Sequence, residues 1–232
     1  MKKKKYLVLG GSGLVGSAIV RQLKKNRQIQ IFYPKRNELN LEDQKKVFEF
    51  FKKNKPNFVI LCAAKVGGIY ANMTYPADFI VSNITIQNNV ILACSKIKNL
   101  KLTFLGSSCI YPKYCRQPIK EEYLLTSSLE KTNEPYAVAK ISGIKTIEAF
   151  KKQFKKNFIS VMPTNTFGIN DNFHKMNSHV VPALIRKIYE AKIKKKSKVE
   201  LWGTGNPLRD LIYVDDLADA IIFLTNNYNG KE

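Results

Sequence analysis

The chain has 232 residues, 44% of them hydrophobic and 25% charged. That composition fits one globular domain, or one plus a small lobe, and excludes a disordered chain, a collagen and a coiled coil. Thirty-nine basic residues against 18 acidic give a formal charge of +21, which invites a nucleic-acid reading. However, 33 of the 39 are Lys and only 6 are Arg, and phosphate and base recognition favours the planar Arg fork. The lysines lie scattered in pairs, the pattern of solvated helix faces, so no nucleic-acid partner is expected.

No stretch reaches the roughly 18 apolar residues of a membrane span, and no membrane partner is expected. Cys62, Cys94, Cys109 and Cys115 form no CxxC pair and have no His at zinc spacing, so no metal site is expected. A reduced, cytoplasmic chain fits best. Met1–Lys5 followed by an apolar run is only superficially a signal peptide, because Gly10, Gly11, Gly13 and Gly16 break the run.

In chain order, Tyr6–Leu9 predicts a strand ending in glycines, and Leu14–Asn26 a helix with a basic end. Gln28–Tyr33 predicts a second strand stopped by Pro34, and Glu42–Asn54 a helix. Phe58–Ala63 is wholly apolar, the pattern of a strand buried on both faces. A helix over Ala77–Lys98, a strand over Leu102–Gly106, a helix over Tyr136–Asn157 and a strand over Phe158–Met162 continue the alternation. Then come a polar loop (Asn165–Asn177), a helix (Val180–Lys194), a short strand (Val199–Trp202) and an apolar run (Leu211–Val214). Asp215 and Asp216 read as the cap of a last helix, Leu217–Asn226.

This rhythm predicts an α/β fold, a doubly wound parallel sheet of the Rossmann-like type. Residues 1–165 are expected to form a nucleotide-binding domain. Residues 166–232 are expected to form a partial substrate lobe grown on the sheet edge.

Gly10, Gly13 and Gly16 form GxxGxxG after the first strand, and Gly11, Gly13 and Gly16 fit GxGxxG. A tight turn needs positive φ, a pyrophosphate needs backbone N–H groups close by, and the last glycine lets helix pack on strand. The position predicts a dinucleotide site. An NAD site expects a carboxylate at the end of the second strand; Pro34, Lys35 and Arg36 stand there instead. Arg36 can pair bidentately with a 2′-phosphate, so the cofactor is expected to be NADP.

Tyr136 and Lys140 make the chain's one YxxxK, a helical turn apart on one face. Ser107 follows the fourth strand, where ligands of open parallel sheets sit. Hydride reduction of a ketone leaves an alkoxide that needs a proton. A phenol holds that proton with a pKa near 10, and a neighbouring ammonium is expected to lower it. Ser107 can donate to the substrate carbonyl. Cys109, two residues on, would point to the same side in an extended segment.

With these residues in place, the chain resembles the extended short-chain dehydrogenase/reductase superfamily and, within it, the GDP-L-fucose synthase family. The resemblance runs through AAKVGGIYANMTYPADFI (63–80), FLGSSCIYPK (104–113), NEPYAVAK (133–140), SVMPTNTFG (160–168), DNFHKMNSHVVPALIRK (171–187) and LWGTGNPLRD (201–210). It implies a homodimeric enzyme that performs NADPH-dependent 3,5-epimerisation and 4-reduction of GDP-4-keto-6-deoxy-D-mannose to GDP-L-fucose. It makes Tyr136 the proton donor beside Ser107 and Lys140, and puts Cys109 and His179 at the epimerisation, with His179 preferred to His174.

The same resemblance surrounds NADP with Gly10, Gly11, Ser12, Gly13, Leu14, Val15 and Gly16, then Arg36, Asn37, Glu38, Leu39, Asn40 and Leu41. Leu105, Gly106, Ser107, Ser108, Pro163, Thr164, Asn165 and Thr166 join them, with Lys140 and His179. Lys187, Trp202 and Arg209 would contact the nucleotide-sugar. Three departures stand out. Asn170 follows the glycine of the 160–168 segment, Lys187 replaces an Arg, and the family continues for several dozen residues that finish the lobe. Another sugar-nucleotide epimerase or dehydratase, or a silent NADP-binding module, are the alternatives.

Overall fold

A computed structural model describes residues 3–175, 177–201, 203–206 and 208–229. Five parallel strands form the central sheet: β1 (Lys4–Leu9), β2 (Ile29–Phe32), β3 (Phe58–Leu61), β4 (Lys101–Leu105) and β5 (Asn157–Val161). Their order is β2-β1-β3-β4-β5. The chain leaves β1 toward one edge and returns across it to β3, so the order reverses between those two strands. Such a switch point opens a crevice at the carboxyl ends of the strands.

The period of two along β1 divides the core. Leu7 and Leu9 face one layer, with Val59, Leu61, Leu102, Phe104 and Phe158 from the neighbouring strands. Tyr6 and Val8 face the other, with Phe58, Ile60 and Leu105. Leu7, Val8 and Leu9 are no more than 1% exposed, and each such burial contributes about 1.5–3 kcal/mol.

The first layer is covered by α2 (Gln44–Asn54), α4 (Pro76–Ser95) and α5 (Glu134–Phe154), through Val47 and Phe51, Val90 and Ile91, and Ile141, Ile144 and Ile147. The second is covered by α1 (Leu14–Lys24) and α7 (Val214–Asn227), through Ala18, Ile19 and Leu23 against Leu217, Ala218 and Ile221. The helix ends follow local chemistry. Asp43 caps α2 by accepting from the Lys46 amide at 3.1 Å. Proline opens both α4 and α5, where its missing N–H costs nothing. An ion pair between Arg21 and Asp215 ties α1 to α7.

The remaining elements are α3 (Ile69–Thr74), α6 (Val180–Ile193) and a two-stranded parallel pair, β6 (Asn165–Phe167) with β7 (Leu211–Tyr213). Here the structure departs from the sequence reading. β6 lies inside the expected loop Asn165–Asn177, because its partner is more than forty residues away and leaves no local signal. Residues 199–201 form no strand: their few apolar side chains stand exposed, with no neighbour to pair with. The last helix starts at Val214, so Asp215 and Asp216 occupy its first turn and do not cap it.

Candidate functional site

The glycine turn lies at the carboxyl end of β1, beside the switch point. Gly10 takes φ +86, and a Cβ there would stand 2.6 Å from the Ala63 amide nitrogen. A Cβ at Gly16 would stand 2.1 Å from the Gly10 carbonyl oxygen, so α1 sits as low on the strand as a glycine allows. Gly13 is the N-cap of α1, no side chain caps the helix, and its first turn holds no acid. The amides of that turn, at Leu14 and Val15, are therefore the donors a phosphate would use. These residues fit a dinucleotide.

Beyond β2, Lys35 and Glu38 close a turn: the Lys35 amide donates to Glu38 Oε2 at 2.7 Å. Arg36 projects outward with its side chain 83% exposed, paired with Glu42 at 3.4 Å. A guanidinium so loosely engaged is available to a 2′-phosphate. Leu39 and Leu41, by contrast, are buried in the core with Val47 and Phe51. Their part in a cofactor site is confined to the backbone of 37–41.

At the carboxyl end of β4 the chain does not stay extended. Ser107 caps a short 3-10 turn, Ser108–Ile110, and its Oγ accepts from the Cys109 amide at 3.4 Å. Turn geometry, and not strand alternation, therefore brings Cys109 beside Ser107. Tyr136 and Lys140 lie on the first turns of α5, packed over this segment. Lys140 is 3% exposed and donates to the Leu105 carbonyl at 2.7 Å. Its ammonium stands 4.9 Å from the Phe104 ring centre and 5.8 Å from that of Tyr136.

The electrostatics differ from the expectation. Burial pushes the Tyr136 phenol well above its ordinary range; Cys109 adds to this, and the Ser107 hydroxyl pulls it back. The Lys140 ammonium beside the ring does not outweigh that burial. Burial also lowers Lys140 itself, to about 8, opposed by the Cys109 and Cys62 thiols. Burial raises Cys109, and the Ser107 hydroxyl and then Lys140 moderate it. Ser107, Cys109, Tyr136 and Lys140 thus form one electrostatic cluster.

The Ser107 segment joins the next loop through backbone bonds: Gly106 donates to Val161 at 2.8 Å and Ser108 to Pro163 at 3.3 Å. Thr164 Oγ1 and Asn165 Nδ2 donate to the Asp210 carbonyl, which sets Arg209 next to the Pro163–Thr166 loop. Arg209 itself is exposed, its guanidinium bonded to the Leu208 carbonyl at 2.8 Å. Lys187, on α6, donates to the Glu200 carbonyl at 3.1 Å. Trp202 lies outside the described residues. His179 is the exposed N-cap of α6. Asn170 takes φ +69, which its side chain tolerates, and donates to Ser17 Oγ of α1 at 3.1 Å.

Sequence reasoning passed over Cys62, at the end of β3 beside Lys140, and the Val66–Gly68 loop. The glycine doublet Gly67–Gly68, a few residues beyond a buried strand, was the available signal for the loop. Among the described residues no group of three or more His, Cys, Asp or Glu could hold a metal ion.

A family model, the NAD dependent epimerase/dehydratase family, matches residues 6–232. GDP-L-fucose synthase 1 of Arabidopsis thaliana is 55% identical over 231 residues, spanning 100% of this chain and 72% of that protein. GDP-L-fucose synthase of Escherichia coli (strain K12) is 50% identical over 222 residues, spanning 96% of this chain and 69% of that protein. A GDP-L-fucose synthetase from Naegleria fowleri, solved bound to NADP, superposes with a TM-score of 0.87 at 32% identity. That match covers 100% of this chain and 76% of the other. With the uncapped glycine turn at the switch point and a Tyr–Lys pair across the crevice from it, the chain belongs to the NAD dependent epimerase/dehydratase family.

Proposed function

We infer that the chain carries out the GDP-L-fucose synthase reaction. It would epimerise GDP-4-keto-6-deoxy-D-mannose at C3 and C5 and reduce C4 to give GDP-L-fucose, with NADPH as the hydride source. The observation that carries this reading is the cluster of half-buried Ser107, Cys109 and Tyr136 around the buried Lys140 at the carboxyl ends of the strands. It sits in a chain 50–55% identical to proteins of that activity.

The glycine turn and Arg36 would hold NADPH, Arg36 at its 2′-phosphate, and the cofactor would supply the hydride when bound. Tyr136 holds its proton firmly at neutral pH because burial disfavours the phenolate. It is therefore charged with the proton that the C4 oxygen takes as hydride arrives. Lys140, an ammonium below about pH 8, offsets the phenolate left behind. Ser107 donates to the same oxygen. Cys109 and His179 exchange protons at C3 and C5, which the C4 ketone acidifies. Lys187, Trp202 and Arg209 engage the nucleotide-sugar, Arg209 as a fork for its diphosphate.

Residues 1–165 form the cofactor domain in this reading and 166–232 the sugar-side lobe. A cytoplasmic homodimer agrees with two features. Cys62, Cys94, Cys109 and Cys115 are free. Val81 and Leu92 of α4 and Val138 of α5 are exposed apolar side chains that a second copy would cover. No helix among the described residues is long and apolar enough to cross a membrane.

Incubation with NADPH and GDP-4-keto-6-deoxy-D-mannose, with product identification, tests the reading. GDP-L-fucose with stoichiometric NADPH oxidation supports it. A product formed without net NADPH loss would assign the chain to a different epimerase or dehydratase, and cofactor binding without turnover to a silent module.

A further inference from the structure

The loop after β3 is fixed from below by two buried amides. Asn83, 2% exposed, accepts from the Lys65 amide at 2.8 Å and donates to the Lys65 carbonyl at 3.0 Å and the Phe79 carbonyl at 2.7 Å. Asn72, 6% exposed, donates to the carbonyls of Gly67 at 2.9 Å and Gly68 at 3.1 Å. Both amides reach into the loop backbone, Asn83 at Lys65 and Asn72 at Gly67 and Gly68, where the Gly68 carbonyl also accepts the Asn72 amide at 3.2 Å. The loop is therefore rigid, in a place where a strand–helix connection is ordinarily free to vary.

What the rigid loop holds is the approach to α6. The Gly68 amide donates to the Asn177 carbonyl at 3.2 Å. A Cβ on Gly68 would stand 2.8 Å from the Ser178 carbonyl oxygen. Gly68 has φ −67 and ψ −179, a conformation open to any residue. The glycine is needed for the closeness of the 177–178 backbone and not for its own dihedral angles. The next residue is His179, whose carbonyl accepts the first bond of α6, from the Ala183 amide at 3.0 Å. Nothing caps the helix through a side chain, so this backbone docking is what sets the entry angle of α6 and the origin of the His179 side chain.

We propose that Gly68 and Asn72 are positioning residues for His179, seating the 177–178 backbone so that the imidazole reaches the sugar ring from the face opposite Cys109. The inference rests on the assignment of His179 to epimerisation. Neither residue touches the reacting atoms. Gly68 acts through its amide and its missing side chain; Asn72 acts by fixing the Gly67 and Gly68 carbonyls. A proton transfer fails when its base is displaced by about 1 Å, at a cost on the order of 10²-fold. Hydride transfer is served by Tyr136 from α5, whose ring meets this region only edge-on through Phe79, at 6.2 Å between centroids, so it should depend on the loop far less.

Two variants act by opposite routes. Gly68→Ala pushes the Ser178 carbonyl away with no change in backbone angles. Asn72→Leu keeps a buried side chain of similar size, removes its unpartnered Oδ1 as well as both donated bonds, and lets the loop relax. The full-length chain, loaded with NADPH, is assayed for solvent deuterium entry at C3 and C5 and, separately, for reduction of the already epimerised 4-ketone. Exchange should fall on the order of 10²-fold in kcat with little change in KM, while reduction stays within about twofold.

Unchanged exchange in both variants, or equal loss of exchange and reduction, overturns the proposal. So does loss of NADPH binding in both, which would make the loop a part of the fold alone. His179→Asn, measured alongside, separates the two ideas. If it leaves exchange intact, the role of His179 itself is wrong. If it abolishes exchange and the loop variants do not, only the seating is wrong.

Discussion

Lys140→Met removes a charge from the core and should reveal what that charge costs. Burial lowers the ammonium from its ordinary 10.5 to about 8. At about 1.36 kcal/mol per pH unit, that gap is worth about 3 kcal/mol. The sign follows from proton binding. Below pH 8 the lysine is charged in both folded and unfolded chains, and the whole cost is present. Between 8 and 10.5 the unfolded chain holds a proton that the folded chain has released, so stability rises with pH. Above 10.5 both are neutral and the cost is gone.

The methionine variant lacks this dependence. It also loses the bond to the Leu105 carbonyl, and an unsatisfied buried carbonyl costs about 1–3 kcal/mol. At pH 7 the two effects oppose, and the variant should lie within about 2 kcal/mol of the parent. By pH 10 the parent should have gained about 2–3 kcal/mol relative to the variant. Urea titrations of the cofactor-free proteins at pH 7, 8, 9 and 10, followed by circular dichroism, measure the difference. A stability gap that stays flat across that range refutes the account of Lys140 as a charge held against its environment. Reduction should drop on the order of 10²–10⁴-fold in the variant, since nothing then offsets the Tyr136 phenolate.

Tyr136→Phe should lower reduction by about 10²–10⁴-fold while NADPH affinity, read by fluorescence titration, stays nearly intact; matching losses would make the residue structural. Cys109→Ser should slow deuterium entry at C3 and C5 more than reduction of the epimerised ketone, and unchanged exchange removes Cys109 from that step. Gly16→Ala sets a methyl group 2.1 Å from the Gly10 carbonyl oxygen, and backbone cannot step aside. Thermal melting and NADPH titration should show a loss of about 1–3 kcal/mol or more in stability together with weakened binding. Arg36→Ala should leave the melting temperature in place, because its exposed pair with Glu42 is worth little. NADPH affinity should still fall about tenfold with NADH affinity unmoved, and equal losses for both cofactors would take Arg36 away from the 2′-phosphate.

The sheet was legible because its information is local. β1, β3 and β4 are short, largely apolar runs, β1 and β4 closed by Gly10 and Gly106, and the helices between them carry the matching period. The parallel order follows from alternation alone. β6 and β7 were not legible in the same way. Three residues each, with little hydrophobic contrast, they exist because Asn165 and Asp210 are brought together by the rest of the chain. The region 199–201 departed in the opposite direction: Val199 and Leu201 alternate with Glu200 as in a strand, yet all three stand exposed.

The site divides along the same line. The glycine spacing, YxxxK and the serine after β4 are patterns within single segments, and the structure brings those segments to one end of the sheet. What the patterns do not contain is how deeply each group is buried. Tyr136 and Lys140 at four-residue spacing suggest an ammonium that acidifies a phenol. In the packed pair desolvation outweighs that pull, raising the phenol and lowering the ammonium. In the proposed reaction this balance keeps the phenol protonated until the C4 oxygen takes the proton, and Lys140 reduces the cost of the phenolate that remains. That balance rests on desolvation of both groups. The apolar residues beneath them, Phe104 and Ile144, are accordingly as much a part of the chemistry as the tyrosine, although no motif names them.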